Sequence, residues 1–375
     1  MRIGITCYPT YGGSGAVATE LGLALARRGH EVHFISYASP FRLRGFTERV
    51  TFHEVVPTDY PLFEHSPYAF ALAVKQHEVA LRENLQIMHV HYAIPHAATA
   101  WLAKQMLEEE GRQMQLLTTL HGTDITLVGR DPSYFSLTRF SIEKSDRVTA
   151  VSQFLRQETY RAFGCVNCQV DVIPNFINPA EYHPAAEGHL RNAIAPPGHR
   201  ILIHVSNFRP VKRVADVVRV FAGVRKTVPA TLVLVGDGPD RDLVQDEAQR
   251  LGVRRDVRFF GRVDDVADLL READLFLLPS ETESFGLAAL EAMACGVPVL
   301  ATAVGGLSEV VVEGDTGYLT PVGDVAAMTD RAMRLLTDTA LHLRFRRQAV
   351  ARALEFSTDR IVPRYEAVYE ELLGG

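Results

Sequence analysis

Two glutamates, Glu283 and Glu291, stand where carboxylates are uncommon, in the stretch that runs from Ser280 into a small-residue segment. Glu291 falls among Ala288, Ala289, Leu290, Ala292, Met293 and Ala294, too apolar a run for a solvated helix face, so its carboxylate needs a hydrogen-bonding partner. Taken singly, such glutamates are more often a loop charge and a surface helix residue; the apolar flanks decide otherwise here. Glu283 precedes the helix and is displaced along its axis from Glu291, so the pair suits two separate groups of hydroxyls. Ser284 is expected to cap the helix with its hydroxyl and Gly286 to let a ligand approach the backbone. The uncapped first-turn amides then favour an anion, phosphate above all.

Cations that could meet such an anion follow the apolar run Ile201 to Val205, in Ser206-Asn207-Phe208-Arg209-Pro210-Val211-Lys212-Arg213. Arg209 and Lys212, at or before the start of a helix, are suited to hold a diphosphate and neutralise a leaving nucleotide. With a net charge of -6, the chain has no general attraction for nucleic acid or an acidic membrane, so an anionic ligand depends on such local groups. Arg262 and Val263 follow another strand-like run and suit a nucleobase. Near the start, Gly12-Gly13-Ser14-Gly15 allows backbone amides to approach a phosphate or sugar. It has neither the G-x-G-x-x-G spacing of a dinucleotide site nor the Gly-Lys-Ser/Thr of a P-loop.

Four histidines, His89, His91, His96 and His121, raise the question of a metal, but His89 and His91 share a strand face and no carboxylate is spaced to complete a set. Hydrogen bonding to a substrate suits His121 better. Arg139, on a helix, reads equally as an acceptor anchor and as a solvated charge. Cys165-Val-Asn-Cys168 has no second C-x-x-C and reads as incidental. Asp264 and Asp265 are adjacent and form no Asp-x-Asp signature, so no metal is expected and activity should persist in a chelator.

The elements that must position these residues alternate between short apolar strands and helices. Ile3 to Cys7, Ala16 to Arg28 and Glu31 to Ser36 open a βαβ unit, and further strands at Val50, Ile87, Leu116, Arg147 and Val170 extend a parallel sheet. The proline- and asparagine-rich Ile173 to Pro184 reads as a linker, after which Ile201 to Val205, a helix over Val211 to Val228, and Thr231 to Val235 start a second unit. The 375 residues therefore divide into 1–175 and 176–356, with a last helix in 357–375 packing back on the first part. The expected fold is α/β: two Rossmann-like doubly wound domains facing each other across a cleft, with ligands beyond the carboxyl ends of the strands. Met1 leads directly into a strand, no run reaches membrane-spanning length, and four cysteines are too few for a disulfide framework, so a cytoplasmic protein is expected.

The glycine turn, Arg209 with Lys212, and Glu283-Ser284-Phe285-Gly286 with Glu291 together resemble the retaining GT-B glycosyltransferases of family four across nearly the whole chain. The stretches I-G-I-T-C-Y-P, H-Y-A-I-P-H, T-T-L-H-G-T-D-I-T and H-V-S-N-F-R-P-V-K-R are most similar to the branch of that family serving bacillithiol biosynthesis. That resemblance implies UDP-N-acetylglucosamine (UDP-GlcNAc) as donor, L-malate as acceptor, no cofactor, and a homodimer. It implies that Glu291 binds the ribose hydroxyls, Glu283 the sugar hydroxyls, and Arg209 and Lys212 the diphosphate, with His121 near the sugar 6-hydroxyl. Catalysis would rest on Arg209, Lys212, Glu283 and His121. Gly13, Ser14, Gly15, Asn207, Arg262, Val263, Ser284, Phe285, Gly286 and Leu287 would complete the donor site. Ser14, Tyr92, Thr119, Thr123, Arg139 and Asn175 would surround the acceptor. Another acceptor (a lipid, a sugar or inositol phosphate), a UDP-sugar epimerase, and a sensor without turnover stay open as alternatives.

Overall fold

The computed structural model describes residues 1–10, 12–57, 66–126, 128–164, 169–184 and 190–374. The chain forms two compact units, Met1–Asn175 with Thr358–Gly375, and Phe176–Ser357. Each is a parallel sheet with helices, and neither needs the other to complete its strand order.

The first unit runs β1 (Arg2–Thr6), α1 (Gly13–Arg27), β2 (Glu31–Ser36), β3 (Val50–Glu54), α2 (Tyr68–Arg82), β4 (Ile87–His91), α3 (Ala98–Glu109), β5 (Gln115–Leu120), α4 (Thr123–Thr126), α5 (Pro132–Lys144), β6 (Arg147–Ala150), α6 (Gln153–Phe163) and β7 (Val170–Val172). Its seven strands lie in the order β3-β2-β1-β4-β5-β6-β7, all parallel. Every residue of β4 is buried, as a strand covered on both faces requires. Leu72, Val79, Ala100 and Leu107 of α2 and α3 close one core against Val90 and Leu116.

The second unit runs α7 (Arg191–Ile194), β8 (Arg200–Val205), α8 (Val214–Arg225), β9 (Ala230–Val235), α9 (Arg241–Arg250), β10 (Val257–Gly261), α10 (Ala267–Arg271), β11 (Leu275–Leu278), α11 (Leu287–Ala294), β12 (Val299–Thr302), α12 (Leu307–Val310), β13 (Gly317–Thr320), α13 (Val325–Thr337) and α14 (Thr339–Leu354). Six parallel strands lie in the order β10-β9-β8-β11-β12-β13. The final helix, α15 (Thr358–Gly374), belongs to the first unit, where Tyr365 and Tyr369 are wholly buried and Glu366 pairs with Arg28 and His30. No described helix is long and apolar enough to cross a membrane.

In both sheets the strand order reverses once, between β1 and β4 and between β8 and β11. At such a reversal the two connections leave toward opposite faces and open a crevice at the strand ends, where doubly wound proteins bind ligands. The glycine turn follows β1 and Tyr92 follows β4; Arg209 and Lys212 follow β8 and Glu283 follows β11. The topology thus collects residues far apart in sequence at two switch points.

Candidate functional site

At the second unit's switch point, the loops after β8 and β11 are stitched together. Glu281 N–H donates to Val211 O at 2.8 Å, and the Arg213 guanidinium reaches Glu281 Oε1 at 2.8 Å and Asp216 Oδ2 at 2.7 Å. Lys212 Nζ lies 2.5 Å from Glu283 Oε1, which also accepts from Ser280 Oγ at 2.8 Å. The two residues expected to bind diphosphate and sugar are therefore each other's partner, at a half-buried carboxylate held in place from two sides. The helix expected from Val211 is interrupted. Pro210–Lys212 forms a separate single turn and Arg213 takes φ 49°, so α8 begins only at Val214 and the Lys212 side chain is released toward Glu283.

Ser284 is not the capping residue of α11, contrary to expectation. The capping position is Gly286, at φ 93°, where a Cβ would stand 2.4 Å from Leu307 Cδ2, so the backbone geometry admits no side-chain cap. Phe285 is buried, Leu287 opens the helix, and Glu291 is only 6% exposed within it. Arg209 and Asn207 are exposed, and the Arg209 side chain has no partner among the described residues. Arg262 and Val263 follow β10; Arg262 lies near Asp237, whose carboxyl is held below its usual range first by Arg241 and more weakly by Arg262.

His204, not singled out from the sequence, organises this loop from below. Its Nδ1 is 2.8 Å from Leu277 O, which can only accept, so Nδ1 carries the proton and Nε2 accepts from Ser206 Oγ at 2.7 Å. Burial pushes its pKa down to about 4, keeping it neutral. Gly236, at φ 121°, comes so near that a Cβ would stand 1.8 Å from Ser206 O. The only signal for His204 in the sequence is its position one residue before the end of a buried strand.

The first unit's switch point has a different chemistry. Gly13, Ser14 and Gly15 form the first turn of α1, which starts at Gly12 without a side-chain cap, so this turn is helical and not a loop before a helix. Tyr11 lies outside the described residues. After β4, Tyr92 is half-buried at φ 91°, its ring 5.4 Å from that of His121 and 5.3 Å from that of Tyr8. His91 Nδ1 is 2.8 Å from His121 Nε2, and His96 Nδ1 is 2.5 Å from His91 O. Burial lowers all these rings: His89 and His121 to about 3, His96 to about 4, and His91 well below the ordinary value. Asp124, raised to about 6 by burial, accepts from the amides of Gly122, His121 and Ala93 and so ties the β5 exit to the β4 exit. Thr123 is half-buried at the start of α4.

Thr119 is held within the first unit's core. It is fully buried, with Oγ1 2.7 Å from both His89 Nε2 and Thr149 Oγ1, and His89 Nδ1 is in turn 2.7 Å from the Tyr369 hydroxyl. Strand parity thus turns its side chain into the network under α15. Arg139 pairs with Glu143 at 2.8 Å on an exposed face of α5. Asn175 is buried, with an Oδ1 that has no partner among the described residues.

The histidines do not converge on a cation, since both nitrogens of His89 are taken by hydroxyls. Among the described residues, one trio, His33, His53 and Glu83, brings ligand atoms within 4.8 Å of one another, away from the switch point. Arg82 donates to Glu83 at 2.8 Å and lies 3.2 Å from His53 Nδ1, so a guanidinium already occupies that cluster. Cys165 and Cys168 lie outside the described residues, and Cys7 and Cys295 are buried free thiols pushed up to about 12.

Two parallel doubly wound units, the second with cations and a half-buried carboxylate at its switch point, make up the GT-B architecture found among glycosyltransferases. Residues 11–181 match the model for Glycosyltransferase Family 4 and residues 189–352 that for Glycosyl transferases group 1. The chain is 49% identical over 375 residues to the N-acetyl-alpha-D-glucosaminyl L-malate synthase of Bacillus anthracis, covering 100% of this chain and 97% of that enzyme. It belongs to this glycosyltransferase family, as the resemblance implied. Sucrose-phosphate synthase from Thermosynechococcus elongatus shares the fold at a TM-score of 0.82 and 22% identity, covering 100% of this chain and 99% of that one. Anabaena HepE in complex with UDP and glucose does so at 0.76 and 21%, covering 98% and 99%.

Proposed function

We propose that this chain transfers N-acetylglucosamine from UDP-GlcNAc to the hydroxyl of L-malate with retention at the anomeric carbon, releasing UDP. The full-length 49% identity to the Bacillus anthracis synthase carries this reading, and the chemistry of the second switch point supports it. Arg209, exposed and unpaired among the described residues, and Lys212 take the diphosphate; Glu283, once shared with phosphate for Lys212, turns its free oxygen to the sugar hydroxyls. Glu291 takes the ribose hydroxyls, the backbone at Phe285, Gly286 and Leu287 meets the sugar and phosphate, and Asn207, Ser284, Arg262 and Val263 complete the donor pocket. From the first unit, Gly13, Ser14 and Gly15 meet the donor, and His121 the sugar 6-hydroxyl. Tyr92, Thr123, Asn175 and Arg139 receive malate, Arg139 by its charge.

The bond from the anomeric carbon to the β-phosphate oxygen breaks as the malate oxygen bonds to that carbon on the same face, and the malate proton passes to the departing phosphate. Developing charge falls on the diphosphate, so fixed cations there stabilise the transition state more than the ground state. No metal is needed for this, and turnover persists in EDTA; loss of turnover in EDTA with recovery on adding magnesium contradicts it. The test is a steady-state panel in which UDP release is followed with malate, a simple sugar, inositol phosphate and a lipid acceptor. Proton NMR of the product reads the anomeric configuration. Malate-dependent UDP release with an α-linked product supports the proposal, and preference for another acceptor overturns it.

A further inference from the structure

We propose that His91 is a positioning residue that fixes His121 as the tautomer with its proton on Nδ1, so that the ligand meets a hydrogen-bond donor there and not a base. The two rings lie within 24° of parallel with centroids 5.1 Å apart and nitrogens 2.8 Å apart, so they meet edge to edge along one hydrogen bond. One nitrogen of that pair must carry the proton and the other must accept it. The choice is settled at the far side of His91, where Nε2 is buried and has no partner among the described residues.

If His121 donated, His91 would accept on Nδ1 and bury an orphaned N–H at Nε2. If His91 donates from Nδ1, the orphan is a bare nitrogen, and an unpaired buried N–H is the rarer of the two in folded proteins. The neighbouring ring follows the same pattern. His96 Nδ1 faces the His91 carbonyl, which can only accept, so its proton is on Nδ1 and its buried Nε2 is bare. His89 stacks on His91 with centroids 4.6 Å apart and is held by Tyr369 and Thr119, which fixes the plane of the His91 ring. Burial keeps His121 neutral, so it has one proton to place. With Nε2 accepting from His91, that proton sits on Nδ1, which has no partner among the described residues. The group it can serve is an acceptor: a hydroxyl oxygen of the donor sugar or a phosphate oxygen.

This rests on the reading that His121 contacts the donor sugar, and the experiment separates the two. Long-range proton–nitrogen NMR of the full-length chain with 15N-labelled histidine, His121 being assigned by the signals missing from His121→Gln, reads which nitrogen is protonated. Nδ1–H in the unmodified protein supports the proposal, and Nε2–H overturns it. His91→Phe, which keeps the volume but removes the donor, should no longer hold His121 as the single Nδ1–H tautomer, so that both tautomers are seen, and should lower kcat/KM by about tenfold. His91→Asn, whose amide can stand near the position of Nδ1, should keep the tautomer and most of the activity. A His91→Phe protein with His121 still protonated on Nδ1 alone overturns the proposal whatever its activity. If that variant does not fold, the spectrum of the unmodified protein decides. Full activity in His121→Ala removes the sugar contact and leaves the tautomer to be read from the same spectrum.

Discussion

The two switch points are built on one plan and filled with opposite chemistry. After β8 and β11 the loops carry formal charges joined in short pairs, Lys212 with Glu283 and Arg213 with Glu281. At the β4 and β5 exits they carry neutral rings and hydroxyls beside a buried Asp124 that backbone amides surround. A fold that supplies the same crevice twice can thus carry formal charge at one and neutral donors and acceptors at the other. The two kinds of site suit different ligands: phosphate leaving water needs full charges, whereas a hydroxyl needs aimed donors and acceptors.

The largest effect expected from breaking this division is at Lys212. Lys212→Ala should lower kcat by about 10²–10³ with little change in KM for the donor; a rise in KM alone, with kcat intact, would make its role simple ground-state binding. Next comes Arg139, the one cation assigned to the acceptor. Its surface pair with Glu143 is weak and easily exchanged for a ligand carboxylate. Arg139→Ala should raise KM for malate by about tenfold or more and leave the KM for the donor unchanged. Unaltered malate kinetics would place the acceptor's charge partner elsewhere.

Acid should separate the units. His33, His53, His89, His91, His96 and His121 in the first, against His204 and His342 in the second, have folded pKa values below the ordinary 6.5. The unfolded chain then binds more protons, so the stability these rings contribute is full above about pH 6.5 and is lost as pH falls toward 3–4. Each such ring costs about 1.4 kcal/mol per pH unit within that window. Asp124, raised to about 6, acts in the opposite sense and offsets one ring. Hydrogen exchange at pH 7 and pH 5 should therefore show protection falling first in residues 1–175. Equal loss in both units would contradict the contrast.

The smallest effect concerns a backbone approach. Gly236→Ala should destabilise the second unit by about 1–3 kcal/mol in chemical denaturation, because the Cβ meets Ser206 O.

Much of this was legible in the sequence because it depends on local pattern. Short apolar strands alternating with helices dictate parallel sheets, and a carboxylate at Glu291 inside an alanine-rich helix stands out without any coordinates. What escaped depends on pairing across the fold. Lys212 and Glu283 are separated by 71 positions, and nothing local says that a left-handed Arg213 frees Lys212 to reach Glu283. The burial of Thr119 escaped because the face of β5 that α15 covers cannot be read from a strand whose residues are nearly all apolar or hydroxylated. The Ser284 cap failed because one backbone angle, at Gly286, decides where α11 begins. His91 and His204 are indistinguishable from core histidines until their partners are known.

The most direct test of the account is mass spectrometry of the purified chain incubated with UDP-GlcNAc in EDTA, with and without L-malate, following UDP and the sugar product together. The account predicts UDP and a glucosaminyl malate in equal amounts, both only when malate is present. An isomerised UDP-sugar without UDP release, or UDP release that ignores malate and follows another acceptor, would contradict it.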